Sequence, residues 1–313
     1  MDYIIGVDGG GTKTEAVAYD LEDEVLASSI SGFGNIILQF DHAMDNIIKA
    51  IDQCMYKLDS ERRNCQCVFI FLGLAGIASA HNINLVEEKL FNKYKIPVKV
   101  TTDAHIAHGA LLKGEDGILT ISGTGSISYG VCGGNIERTG GWGHLLGDEG
   151  SGYYIAIEAF KSIVYEEDHK LPKSKFTEAI LDRLGVKEPN DIKTFIYSSS
   201  KGDIASLVPV IVEKANQGDE KAINILKDAG KALALNTILL CRNLSMESQV
   251  KVGIKGSILT KINFVREEFQ KELEEKLEGV TIIDDNVSPT KGAYYLAKKL
   301  IEDKDSSYGG KIK

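Results

Sequence analysis

Short apolar runs alternate with longer amphipathic runs along the 313 residues, which is the pattern of an α/β chain. The N-terminal third predicts the order β-β-β-α-β-α-β, which is typical of a sheet with parallel strands and helical crossovers. The predicted strands lie within 4–20 (two strands) and at 25–29, 68–74 and 97–102, and the predicted helices cover 41–58 and 83–94.

The second half of the chain has mainly helical spacing. The predicted helices cover 152–166, 175–184, 191–198, 203–216 and 219–243. A strand at 250–254 then runs into Gly256 and a further helix, a join that could cover an adenine or a ribose. Eight glycines lie among acidic and aromatic residues at 133–152, and we interpret this region as a binding loop without regular structure.

The segment IIGVDGGGTKTEAVAYD at 4–20 predicts a strand, a tight glycine turn and a returning strand. Glycines in the turn, among them Gly10 and Gly11, would permit positive φ angles and the close approach of a phosphate. Thr12 and Lys13 add hydroxyl and ammonium donors, and Asp8 at the end of the first strand predicts a bound divalent cation. The Walker and dinucleotide patterns are both missing, and a plain β-hairpin remains the alternative.

The segment GILTISGTGSISYGV at 117–131 repeats this design with Thr124 and Gly125 in its turn. Two phosphate-type hairpins about a hundred residues apart indicate two similar lobes that face one nucleotide. A coincidental pair of β-turns is the other explanation. We therefore predict an N-terminal lobe at 1–115 and a C-terminal lobe with a helical insertion at 116–313. The last helix could instead pack back on the N-terminal lobe.

Asp103 lies where a predicted strand gives way to a helix that runs through Leu112. Open α/β sheets bind ligands at the carboxyl ends of their strands, so its carboxylate could face a cleft. Aspartate is also among the best helix N-caps, and position alone leaves both roles open.

Net charge, cysteine content and the length of the apolar runs limit the functions that this chain could have. The net charge is −9 without a block of Lys or Arg, which argues against binding to nucleic acid or to an anionic membrane. Five scattered cysteines do not form a disulfide framework, and Cys65 and Cys67 have no second pair with which to bind zinc. Since no apolar run reaches the roughly 20 residues of a membrane span, we expect a cytoplasmic protein that binds small molecules.

Several motifs together resemble the N-acetylglucosamine kinase branch of the BadF/BadG/BcrA/BcrD-type ATPase family, within the actin-like ATPase and sugar kinase superfamily. The resemblance implies a duplicated ribonuclease-H-like α/β fold with two lobes around a nucleotide cleft. Its motifs are DGGGTKT at 8–14, GLAG at 73–76, TDA at 102–104, SGTGS at 122–126, GGWGH at 140–144, GDEGS at 147–151, and Pro289 with Gly292 and Ala293.

The resemblance also implies roles for individual residues. Asp103 becomes the catalytic base, and Asp8 holds Mg²⁺ through water. The implied sugar contacts are Asn35, Asp103, Gly141, Trp142, Gly143 and Asp148. The implied ATP contacts are Gly10, Gly11, Thr12, Lys13, Thr124, Gly125, Gly253 and Gly256, where Ile254 and Lys255 depart from the usual glycine-rich form of the last turn.

The resemblance implies that the protein transfers the γ-phosphate of Mg-ATP to the 6-hydroxyl of N-acetylglucosamine. It also implies a homodimer that acts in the salvage of cell-wall sugars. N-acetylmuramic acid or glucosamine could replace this substrate. A second class in the same family, ATPases that activate radical dehydratases or reductases, needs cysteine ligands for an iron–sulfur cluster, and only Cys132 lies in a comparable context. A sugar-sensing regulator would carry a DNA-binding segment, which this chain lacks.

Overall fold

The structure is a computed structural model that describes residues 1–37, 39–60, 65–77, 79–246 and 248–309. The described chain forms two compact units. The first contains Met1–Glu115 and the residues from Asp285 onward, and the second contains Asp116–Asp284.

The first unit is a five-stranded mixed sheet with helices packed on it. Its strands are β1 (Asp2–Gly9), β2 (Thr14–Asp20), β3 (Val25–Ser31), β4 (Gln66–Leu74) and β5 (Val98–Thr102). Its helices are α1 (Phe40–Ser60), α2 (Ala80–Tyr94), α3 (Asp103–Leu112) and a closing helix (Pro289–Gly309). The strand order is β3-β2-β1-β4-β5, with β1, β2 and β3 antiparallel and β4 and β5 parallel to β1.

Glycines allow the closing helix to lie directly on this unit. A Cβ atom on Gly6 of β1 would overlap the carbonyl of Thr290, and one on Gly292 would overlap the carbonyl of Ile106 in α3. Tyr294 of the same helix is fully buried. The C-terminal part of the chain is therefore an integral layer of the first unit.

The second unit contains another five-stranded mixed sheet and most of the helices. Its strands are β6 (Gly117–Ser122), β7 (Ser126–Cys132), β8 (Asn135–Gly140), β9 (Lys251–Lys255) and β10 (Thr281–Ile283). Its helices are α4 (Gly152–Asp168), α5 (Lys175–Leu184), α6 (Ile192–Ser198), α7 (Lys201–Ala205), α8 (Val208–Asn216), α9 (Glu220–Asn243), α10 (Ser257–Lys261) and α11 (Asn263–Lys276).

The strand order of the second sheet, β8-β7-β6-β9-β10, repeats that of the first. Strands β6, β7 and β8 are antiparallel, and β9 and β10 run parallel to β6. The predicted duplicated ribonuclease-H-like α/β fold is thus confirmed. No helix in the described part of the chain is long and apolar enough to cross a membrane.

Two predicted elements differ from the structure. The region 133–152 is not entirely a loop, because residues 135–140 form β8 by pairing with β7. The helix predicted at 203–216 is two helices, α7 and α8, separated by Ser206 and Leu207. Pro209 lies in the first turn of α8, where its missing N–H costs no helical hydrogen bond.

An ion pair between a partly exposed lysine and a buried carboxylate joins three helices of the second unit. The Glu166 carboxylate on α4 pairs with Lys221 on α9 and accepts hydrogen bonds from the Thr177 hydroxyl (2.6 Å) and the Ser174 N–H (3.2 Å) at the start of α5. Burial raises the pKa of the Glu166 carboxyl, but the contacts with Lys221, Thr177 and Ser174 outweigh burial and lower the pKa from 4.5 to about 2.

We expect Lys221→Met to destabilise the protein by about 2–3 kcal/mol, because it leaves a buried carboxylate without its cation. Urea unfolding at neutral pH measures this loss. In the wild type the folded pKa of Glu166 lies below its ordinary value. Its stabilising contribution is therefore present above about pH 4.5 and disappears as the pH falls towards 2. An unchanged unfolding midpoint in Lys221→Met would show that the ion pair with Glu166 does not stabilise the fold.

Candidate active site

The carboxyl ends of three parallel strands bring the candidate groups of the first unit to one sheet edge. Gly9 at the end of β1 is level with Leu74 at the end of β4, and Leu74 is level with Thr102 at the end of β5. The first glycine turn, the turn after β4 and Asp103 therefore follow one another along this edge. This is the edge at which open α/β sheets bind ligands.

The first glycine turn is closed by backbone hydrogen bonds. The Gly10 N–H donates to the Lys13 carbonyl (2.9 Å), and the Gly34 N–H donates to the Gly10 carbonyl (2.8 Å). Thr12 and Lys13 are exposed, and the Lys13 ammonium lies 3.1 Å from a carboxylate oxygen of Glu15.

The expectation of positive φ angles in this turn is wrong, since none of the glycines at 9–11 has one. A Cβ atom on Gly10 would meet only the Lys13 carbonyl oxygen, at 3.5 Å, and one on Gly11 would meet nothing within 4 Å. The turn itself therefore does not require glycine at these two positions. Their missing side chains leave the outer face of the backbone open to a ligand.

Asn35 lies beside the turn that follows β4. Its side-chain oxygen accepts the Ile37 N–H (3.0 Å) and would lie 2.7 Å from a Cβ atom on Gly76, which has a φ of +77°. The Ala75 N–H donates to the carbonyl of Gly9 (2.8 Å). Asn35 and the first glycine turn are thus parts of one loop cluster.

Asp103 is the first residue of α3, but it is not the N-cap. Thr102 is the cap, because its hydroxyl accepts the His105 N–H at 3.2 Å. The exposed Asp103 carboxylate accepts a hydrogen bond from the Ala104 N–H (2.9 Å). Thr102 therefore has the N-cap role that was the structural alternative to a catalytic role for Asp103.

His105 is a second titratable group at the start of α3. Burial and the nearby His108 lower its pKa from 6.5 to about 4. Its Nδ1 atom lies 2.9 Å from the Thr101 hydroxyl. The ring is neutral at physiological pH, so it does not neutralise the charge of Asp103.

The second glycine turn connects β6 to β7 in the second unit. The Gly123 N–H donates to the carbonyl of Gly125 (2.9 Å), and the Gly152 N–H at the start of α4 donates to the carbonyl of Gly123 (2.8 Å). Thr124 is exposed at its tip. The turn is thus held from within and from α4, and its hydroxyl side chain faces outward.

The turn after β9 packs against the second glycine turn. Gly256 has a φ of +90°, and a Cβ atom there would overlap the carbonyl of Ser122. The sequence had indicated that Gly253 belongs to this turn, but the structure places it elsewhere. It is buried within β9 and pairs with Leu119 and Ile283, because the apolar run at 252–254 lies between two parallel strands.

A groove with a volume of about 660 Å³ lies next to Gly256. It is bordered by α7, α8 and α10, and most of its wall is apolar. Its lining includes Ala205, Ser206, Val208, Pro209, Val212, Ser257 and Ile258. The sequence had indicated the join at Gly256, Ser257 and Ile258 as a possible cover for an adenine or a ribose, but it indicated no residue of α7 or α8.

The glycine-rich loop after β8 exposes aromatic surface. Gly141 and Gly143 have φ angles of +69° and +87°, and Trp142 between them is 66% exposed. The Arg138 guanidinium carbon lies 5.0 Å from the centroid of the Trp142 ring. A partly exposed indole face of this kind can pack against the apolar face of a sugar ring.

Asp148 lies in the same loop but is buried. It has a left-handed backbone, with a φ of +63°, which non-glycine residues adopt rarely. Its carboxylate accepts a hydrogen bond from Lys201 at 2.5 Å and a longer one from the Ser126 N–H at 3.4 Å. Sequence reasoning missed Lys201, because 53 residues separate it from its partner.

Carboxylates for a metal are sparse. Asp8 is half-buried at the end of β1, opposite Glu15. No group of three or more His, Cys, Asp or Glu side chains within the described ranges could hold a metal ion. A single carboxylate such as that of Asp8 is compatible with Mg²⁺, which usually keeps several waters and binds one or two carboxylates together with substrate phosphates.

Comparison with known proteins adds independent information. The model of the BadF/BadG/BcrA/BcrD ATPase family matches residues 5–297. An N-acetylmuramic acid/N-acetylglucosamine kinase of Clostridium acetobutylicum is 34% identical over 304 residues, which cover 95% of this chain and 99% of that protein. An N-acetyl-D-glucosamine kinase of Dictyostelium discoideum is 29% identical, with 95% of this chain and 98% of that protein covered.

A solved structure from Chromobacterium violaceum, provisionally named an N-acetylglucosamine kinase, has the same fold. Its TM-score is 0.66 at 22% identity, and the match covers 94% of this chain and 98% of that one.

Proposed function

The chain belongs to the BadF/BadG/BcrA/BcrD ATPase family, and we propose that it is an ATP-dependent kinase that phosphorylates the 6-hydroxyl of N-acetylglucosamine. The observation that carries this proposal is the repeated glycine turn at the same sheet position in both units, together with the Asp103 carboxylate at the end of β5 on the same edge of the first sheet. Two amino-sugar kinases that match over nearly the whole chain support it.

In the proposed reaction, the 6-hydroxyl oxygen attacks the γ-phosphorus of ATP, and the bond from this phosphorus to the bridging oxygen of ADP breaks. The Asp103 carboxylate accepts the hydroxyl proton. Such a transfer needs positioning and charge stabilisation more than covalent chemistry. The backbone N–H groups of the two glycine turns, with Thr12, Lys13 and Thr124, supply donors to the phosphates.

We assign the nucleoside of ATP to the groove beside Gly256. Its largely apolar wall and its volume of about 660 Å³ suit a planar base with its ribose. The second glycine turn contacts Gly256 directly, so phosphates attached to a nucleoside in this groove would reach Thr124 and Gly125. Gly253 has no part in this assignment.

The predicted sugar contacts remain a proposal. They are Asn35, Asp103, Gly141, Trp142, Gly143 and Asp148. Trp142 would supply an apolar face, and Asn35 and Asp148 would supply polar groups for the sugar hydroxyls. We also propose that Mg²⁺ bound through Asp8 neutralises the phosphates, and that the enzyme works as a cytoplasmic homodimer.

N-acetylmuramic acid is the second candidate substrate, because the relative from Clostridium acetobutylicum is an N-acetylmuramic acid/N-acetylglucosamine kinase. Glucosamine is the third, since a glucosamine kinase of Vibrio cholerae is 24% identical over 265 residues.

Coupled detection of ADP release tests the proposal. With Mg-ATP, we expect N-acetylglucosamine to stimulate ADP formation well above the rate without sugar, and EDTA to abolish the stimulation. The same assay with N-acetylmuramic acid and glucosamine ranks the substrates by kcat/KM. If none of the three sugars raises the rate above the blank, the kinase proposal is wrong. A visible-absorbing cluster in anaerobically purified protein would favour the activator ATPase instead.

A further inference from the structure

We propose that Lys201 is a positioning residue, which holds the Asp148 carboxylate in the orientation that binds the sugar. This inference rests on the proposed kinase function and on the predicted role of Asp148 as a sugar contact. Its structural basis is the 2.5 Å hydrogen bond from the Lys201 ammonium to the Asp148 carboxylate. The Asp148 side chain is 4% exposed and the Lys201 side chain is 30% exposed.

A buried carboxylate needs a partner, since burial of an unpaired charge costs several kcal/mol. Besides Lys201, the Asp148 carboxylate accepts the Ser126 N–H at 3.4 Å, a distance too long for a strong hydrogen bond. The left-handed backbone at Asp148 further restricts where its carboxylate can point. Lys201 is therefore the main contact that fixes this carboxylate.

The pair also lies directly beside residue 125. A Cβ atom on Gly125 would lie 2.5 Å from the Lys201 ammonium and 3.1 Å from the Asp148 carboxylate. The ion pair thus occupies the space beside the second glycine turn. The resemblance implies that Gly125 contacts ATP, and the structure places the ion pair against the same position.

Helix α7, which carries Lys201, is held in place without the ion pair. Ser200 and Asp203 form a capping box at its start, with the Ser200 hydroxyl as acceptor for the Asp203 N–H and the Asp203 carboxylate as acceptor for the Ser200 N–H. Its C-terminal end is fixed by Ile204, which is buried in the core. Removal of the ammonium should therefore leave α7 and the nucleoside groove beside it intact.

The second unit contains a matched control pair. Lys221 and Glu166 also join a partly exposed lysine to a carboxylate with a 4% exposed side chain, but their pair links α9 to α4 and contributes no predicted contact to sugar or ATP. Lys221→Met and Lys201→Met each leave one buried carboxylate without its cation. If only Lys201→Met weakens sugar binding, the effect arises from the position of Lys201 in the active site. It cannot then be a general result of removing the cation from a buried carboxylate.

The test measures the KM for N-acetylglucosamine, the KM for ATP, kcat and the melting temperature of the wild type, Lys201→Met and Lys221→Met. We expect Lys201→Met to raise the KM for the sugar by about 10- to 100-fold and the KM for ATP by a smaller factor, since Lys201 also lies beside Gly125 of the second glycine turn. Lys221→Met should lower the melting temperature and leave both KM values near those of the wild type. If Lys201→Met does not fold, Lys201→Gln is measured by the same criterion.

Three results would overturn the inference. They are a wild-type KM for the sugar in the folded Lys201 variant, a rise confined to the KM for ATP, and an equal rise in the KM for the sugar in Lys221→Met. An inactive wild type is a different result, because it refutes the kinase function itself.

Discussion

Asp103→Asn should lower kcat by about 100-fold or more, which is the usual range for loss of a general base. Asparagine keeps the size of the side chain and its acceptor oxygen for the Ala104 N–H, but it cannot take up the hydroxyl proton. We expect the affinities for ATP and sugar, measured by calorimetry, to stay close to those of the wild type. The melting temperature should also be unchanged, since Asp103 does not cap α3.

Thr102→Val is the matched control for this variant. It removes the hydroxyl that accepts the His105 N–H and should destabilise α3 by about 1 kcal/mol, the usual cost of a lost N-cap. It leaves the Asp103 carboxylate in place, so kcat should change only a few-fold. An Asp103→Asn enzyme with most of its activity would rule out the mechanism, and a loss of activity in Thr102→Val as large as that in Asp103→Asn would point to helix geometry instead.

The sheets and the repeated turns could be predicted from the sequence, because they depend on local patterns. Continuous apolar runs such as 68–74 identify strands buried on both faces, and the glycine clusters mark where strands turn back. In both units three antiparallel strands are joined by hairpins and two later strands add in parallel, so the two sheets have the same strand order. β8 was missed because Gly133, Gly134 and Gly140 at its ends obscure a strand that only pairing with β7 stabilises.

The side-chain pairs of the candidate site could not be predicted, because they join residues that are distant in the sequence. No local pattern links Asp148 to Lys201 or places Gly256 against Ser122. The cap of α3 is a subtler case. Thr102 and Asp103 are both good N-caps by residue type, and only the backbone geometry decides that the helix begins at Asp103, one residue earlier than it would with Asp103 as its cap.

The choice of glycine in the first turn shows how the structure changes an argument made from sequence. The sequence motif indicated that glycine is needed there for its backbone conformation. The structure shows negative or extended φ angles at positions 9–11 and free space around Gly10 and Gly11. If glycine is functionally required at Gly10, the reason must be an external ligand.

Gly10→Val should therefore weaken ATP binding by about 10- to 100-fold while the protein remains folded. A branched side chain on the outer face of the turn would keep a phosphate from the backbone N–H groups, and hydrogen bonds to a charged group contribute about 1.5–3 kcal/mol each. The nearest atom to a new Cβ is the Lys13 carbonyl oxygen at 3.5 Å, which is an ordinary contact, so the melting temperature should change little.

Calorimetric titration with ATP and Mg²⁺ measures this loss, and Gly10→Ala provides a smaller step in the same direction. Titration of the same variants with N-acetylglucosamine alone is the internal control, because this turn contributes none of the predicted sugar contacts. A folded Gly10→Val protein with wild-type affinity for ATP would show that the first glycine turn is only a structural hairpin. A graded loss from alanine to valine, with sugar binding unchanged, would instead place the phosphates of ATP against the open face of this turn.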